Sequence, residues 1–153
     1  MSSLTTTVAK RLDVLHPIVA AATGAAVFGL AMTAGEVFDL NADGEASAGV
    51  TWGEFAGYVG LVLVGGLIAV WLGLRARAGS PDRLARTALG LAVASAVFFV
   101  GFWSGWPHMF GAVAVVLALE YRRRVGSFGG MTISALLIGA LAVAASTVTC
   151  VLG

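Results

Sequence analysis

Few side chains in this sequence can do chemistry, and they stand in separate groups. His108 follows Trp106-Pro107, with Trp103 just before them. An imidazole with two indoles can line a small pocket at the outer mouth of a helix bundle. The plainer reading is an interfacial anchor beside a turn. Asp13 and His16 are three residues apart and share a face if a helix begins early enough. With Glu120 they make a second group, readable as a proton-sensing or ligand-binding patch because histidine titrates near neutrality. The simpler account is preferred: a capping Asp, an interfacial His, and a Glu paired with Arg123 or Arg124. The two histidines lie at opposite ends of their helices, which excludes a bis-histidine haem. Cys150 is the single cysteine, so no intrachain disulfide forms. Its C-terminal Cys-Val-Leu-Gly ending has the form of a prenylation box but closes on a poor residue.

The third group lies between residues 36 and 54. Asp39-Leu-Asn41-Ala-Asp43-Gly44 sets oxygen-bearing side chains at alternate positions before a glycine, and Val50-Thr51-Trp52-Gly53-Glu54-Phe55 follows. The two halves resemble the opening and closing of an EF-hand calcium loop, with about four residues inserted, roughly Ala46 to Gly49. The resemblance covers residues 39–55 and no more of the chain. It implies Asp39, Asn41, Asp43 and Glu54 as side-chain ligands of calcium, with the Glu45 carbonyl and Thr51 added. An extracellular site of this type binds at about 10⁻⁴ to 10⁻³ M. The alternative is a solvated acidic turn, for which Asn, Asp and Gly suffice by backbone preference.

Composition says where these groups must sit. The chain is 59% hydrophobic and 11% charged over 153 residues, against roughly 25% charged in soluble domains. It reads as one membrane domain. Eight arginines against one lysine, beside abundant Ala, Gly and Val, fit a prokaryotic protein from a GC-rich genome.

The expected fold class is an all-α, polytopic membrane bundle of five transmembrane helices, at about 17–34, 55–74, 84–103, 107–121 and 131–152. Residues 1–15 read as a short interfacial helix or a frayed tail. The first apolar run is taken as a span and not a signal peptide, because no clear cleavage site follows it. The apolar block from Leu84 to Arg124 is too long for one crossing of about 20 residues. A break at Gly105–Pro107 makes it two, the second short at about 15 residues. Ser80 is placed to cap the third helix, with Pro81 at its first position.

Charge sets the orientation. Lys10, Arg11, Arg75, Arg77, Arg83, Arg86 and Arg122 to Arg124 all fall on one side of this arrangement, and the acidic loop falls on the other. Excess Lys/Arg in short loops marks the cytoplasmic face, so the N-terminus is expected inside and the C-terminus outside. Trp52, Trp103 and Trp106 then belong to an outer aromatic belt, Trp71 and Tyr121 to an inner one.

No ionisable residue falls at central depth in any span, which argues against a self-sufficient ion-coupled transporter. Ser95 and the other small polar residues are expected to bond backbone carbonyls. Ala20/Gly24, Gly53/Gly57, Gly101/Gly105 and Ala135/Gly139 match the small-xxx-small pattern of close helix packing. Gly60, Gly65, Gly66 and Gly73 are expected to admit a neighbour likewise. No nucleotide loop, nucleophile elbow, zinc helix or paired catalytic carboxylates are present, so catalytic residues are not expected and the balance leans against an enzyme. The arginines form no nucleic-acid stripe; their partner is the lipid surface. The expectation is a non-enzymatic accessory or structural subunit of a membrane assembly. The alternative is a homo-oligomeric channel or transporter-like protein with an outer divalent-cation loop.

Overall fold

The structure is a computed structural model that describes residues 16–38 and 52–152. All the regular structure among these residues is helical. Helix α1 spans Pro17–Val37, α2 Trp52–Arg77, α3 Pro81–Val97, α4 Trp106–Val125 and α5 Gly130–Leu152; a 3₁₀ stretch, Phe98–Ser104, continues α3. Four segments are long and apolar enough to cross a bilayer: Pro17–Gly35, Phe55–Arg77, Pro81–Ser104 and Gly130–Leu152.

The fourth helix is of a different kind. At 20 residues it measures about 30 Å at 1.5 Å per residue, enough for a crossing. Glu120 and Arg122–Arg124 close it, so its composition is more polar than that of the others. It can be so because it lies at the centre, in contact with α1, α2, α3 and α5. From Pro107 to Glu120 only Ala112, Val115 and Leu119 are less than fully buried. The sequence-based length of about 15 residues falls short because the terminal arginines continue the helix instead of ending it. Gly126 ends it: its φ of 85° is left-handed, and its N–H reaches the Arg122 carbonyl at 2.8 Å, as helix C-termini favour.

The break before α4 is where the sequence placed it. Gly105 has φ 71°, a conformation that costs glycine little and other residues more. A Cβ there would also lie 2.9 Å from the Phe28 ring. Pro107 follows in the first turn of α4, where no N–H is required. At the other end Ser80 caps α3, its Oγ accepting from the Arg83 N–H at 3.4 Å.

Lipid tails are as apolar as leucine, so packing here depends on shape rather than on escape from water. Small residues supply it. A Cβ on Gly24 would lie 2.6 Å from the His108 carbonyl oxygen, and one on Gly111 2.8 Å from the Gly139 carbonyl oxygen. The Ala20/Gly24 and Ala135/Gly139 patterns therefore serve contacts inside the bundle. Among the described residues Gly53, Gly57 and Gly60 meet nothing within 4 Å, so their share of the expected packing is not made by the described helices. Helix α2 is the least enclosed of the four apolar segments, with 11% of its most apolar window buried.

Candidate functional site

The densest polar group joins the C-terminal ends of α2 and α4 to the start of α3. Glu120 is buried, on the last turns of α4. Its carboxylate meets Arg124 at 2.9 Å, Arg123 at 3.4 Å and Arg77 of α2 at 3.9 Å. Arg124 also donates to the Arg77 carbonyl at 2.9 Å and the Gly79 carbonyl at 3.4 Å. One guanidinium thus holds a carboxylate on its own helix and two carbonyls of the α2–α3 turn. A planar fork with several donors suits this task better than an ammonium. Cations at the C-termini of α2 and α4, and Asp82 in the first turn of α3, also match the helix dipoles.

Of the inner group read from sequence, Glu120 takes the simpler role, paired with arginines. His16 precedes α1, and its Nδ1 accepts from the Ile18 N–H at 3.3 Å. Asp13 lies outside the described residues.

His108, Trp103 and Trp106 do not share one pocket; each has its own surroundings. Trp106 turns inward, between Phe98 and Phe110, with ring centroids 4.8 and 5.7 Å away. Its Nε1–H donates to the Leu61 carbonyl of α2 at 2.8 Å. The reason is local: Gly65 lies one turn beyond Leu61, and a Cβ there would sit 2.5 Å from the indole. The missing side chain leaves room for the indole to reach the carbonyl. Trp106 is therefore a packing residue, tying α4 to α2. Trp103 is 47% exposed and meets Phe102 edge-on at 5.5 Å.

His108 is fully buried on the other side of α4, 5.6 Å from the Phe28 ring. Its Nε2 lies 3.2 Å from Thr147 Oγ1, and that hydroxyl donates to the Val143 carbonyl at 2.8 Å. With the Thr147 hydroxyl donating to Val143, the tautomer that completes the pair carries its proton on Nε2. Nδ1 is then a bare acceptor, buried without a hydrogen-bond partner among the described residues. Ser95 Oγ donates to the Pro107 carbonyl at 2.7 Å, the backbone-bonding role expected of it. Thr147 and Phe28 were not foreseen: a threonine and a phenylalanine in apolar runs look like any other lining residue until the helices are placed.

For the candidate calcium loop, Asp39, Asn41, Asp43 and Glu45 lie outside the described residues. Glu54 lies in the first turn of α2. Among the described residues no three His, Cys, Asp or Glu side chains converge as a metal site would require. Cys150 is a buried free thiol near the end of α5.

What this arrangement does is bind the bundle together. The arginine–carboxylate cluster fastens α4 to the α2–α3 turn at one end, and the His108–Thr147 and Trp106–Leu61 bonds tie it to α5 and α2 near the other. The chain matches no protein-family model, no curated protein and no solved structure.

Proposed function

We propose that this chain is a multi-pass protein of a prokaryotic cytoplasmic membrane, serving as a non-enzymatic accessory or structural subunit of a larger membrane assembly. In this reading α4 is a fifth span, and the arginine-bearing end lies at the cytoplasmic face with the N-terminus inside and the C-terminus outside. The observation that carries the subunit role is α2. It presents Leu63, Val64, Leu67 and Trp71 outward at 50–69% exposure. Beside them Gly53, Gly57 and Gly60 face open space. Small residues on an apolar helix let a second helix approach closely, and none of these three is used by this chain's own helices. The polar groups near α4 are engaged in holding helices together, which fits a packing role.

The second reading is a homo-oligomeric channel or transporter-like protein whose outer acidic loop holds a divalent cation. It is favoured by Glu54, which sits at the foot of the same exposed helix. A photo-crosslinking amino acid at Leu67, activated in native membranes, separates the two. A discrete adduct with a different protein supports the subunit reading. An adduct at multiples of the chain's own mass supports the homo-oligomer. Adducts with lipid alone would remove α2 as an interface and the proposal with it.

A further inference from the structure

Where α1, α4 and α5 meet, the bundle is open along one seam. A groove of about 440 Å³ lies there, walled by Ala20, Gly24 and Val27 of α1 and Ala140 and Ala144 of α5. Its floor includes Ala112 and Val115 of α4. These two and Leu119 are the positions at which the otherwise enclosed α4 reaches the surface between Pro107 and Glu120. Residues 112, 115 and 119 follow the i, i+3, i+7 rule for one helix face, and the next positions on that face are Arg122 and Arg123. The groove thus runs along α4 toward a basic end. The two regions are about 10 Å apart along the helix, seven residues at 1.5 Å each.

We infer that this seam seats one anionic phospholipid, with an acyl chain in the groove and the phosphate at Arg122 and Arg123. Size fits a single acyl chain. If a methylene fills about as much space as a water molecule, ~30 Å³, the groove matches about fifteen methylenes. Charge supports the anionic headgroup. At this end Arg75, Arg77, Arg83, Arg86 and Arg122–Arg124 stand against Asp82 and Glu120 among the described residues. Glu120 already serves three of the arginines, so the end keeps a large positive excess whatever pairs form within it. A second groove, of about 410 Å³ between α2 and α3, is lined in part by the rings of Phe98, Trp106 and Phe110, and the arginine pair on α3 serves as its control.

The inference rests on the placement of the chain in a bilayer and not on the choice of protein partner, so the two proposals fail separately. The test is native mass spectrometry of the full chain in detergent, titrated with phosphatidylglycerol or with phosphatidylcholine of the same acyl chains. One retained phosphatidylglycerol is expected, held about tenfold more tightly than phosphatidylcholine, since each arginine near the headgroups favours anionic lipid. Arg122→Gln with Arg123→Gln should remove the preference. Ala140→Leu with Ala144→Phe, both at exposed positions, should weaken retention of both lipids while helicity and elution volume stay unchanged. Arg83→Gln with Arg86→Gln, on α3, should change nothing. Equal retention of the two lipids would overturn the inference, as would the same loss from the α3 pair. It would equally fall if the groove-filling pair turned a dimer into a monomer, because the occupant would then be a second copy.

Discussion

Arg124 does the work of several residues. Its guanidinium spans Glu120 and the carbonyls of Arg77 and Gly79, joining α4 to the end of α2 and the turn that follows it. Hydrogen bonds to charged groups contribute about 1.5–3 kcal/mol each when buried, less where water reaches them, and Arg124 is about one-third exposed. Arg124→Lys keeps the charge but cannot reproduce the fork. It is expected to lower stability by about 1–2 kcal/mol, seen as a lower thermal midpoint in detergent. Glu120→Gln keeps the shape, removes the charge opposite three arginines, and should lower the midpoint as well. An unchanged midpoint in both variants would mean that the cluster is a surface decoration. This pairing was legible in the sequence because Glu120 and Arg124 are four apart on one helix. The Arg77 contact was not, since nothing in a sequence shows how the end of α2 meets the end of α4.

At the scale of elements, glycines of the same sequence pattern divide into two kinds. Gly24 lies against the backbone of α4, and Gly57 lies against nothing among the described residues. Gly24→Ala must push α1 from α4, and overpacking of this kind costs about 1–3 kcal/mol. Gly57→Ala should leave the melting of the isolated protein unchanged or raise it slightly, because alanine is the better helix former. Thermal melts of the two variants side by side check this; similar losses would show that α2 is enclosed as α1 is. The small-xxx-small pattern could not separate the two kinds, because it records size and not neighbours. Helix boundaries were more legible. Gly105-Trp-Pro107 and Ser80-Pro81 carry their backbone requirements in their residue types. The inward turn of Trp106 was hidden, because it depends on the gap at Gly65 of another helix. The acidic loop joining α1 to α2 is tested separately. If it holds calcium, millimolar calcium raises the thermal midpoint, and Asp43→Ala with Glu54→Ala abolishes the rise. An identical response from both proteins would leave only an acidic turn.

For the whole molecule, the account is of four apolar segments gathered around a more polar central helix. Composition and the run lengths made the membrane class and most helices readable. The central place of α4 was not readable, because low hydropathy in a short segment looks like a marginal span until its neighbours are seen to cover it. The same enclosure explains how a helix ending in Glu120 and three arginines can belong to a membrane bundle: its apolar contacts are met by protein, and its charged turn emerges where the basic ends of α2 and α3 also lie. The central claim is that α4 crosses the bilayer with this end in the cytoplasm. Single cysteines flanking α4 test it most directly: Trp103→Cys and Ser127→Cys, each in a Cys150→Ser background, labelled in intact cells with a membrane-impermeant maleimide. The account predicts that the cysteine at 103 is labelled from outside and that the one at 127 is labelled only after permeabilisation. Labelling of both from the same side would show that α4 does not cross, and the reverse pattern would show that the arginine-rich end faces outward.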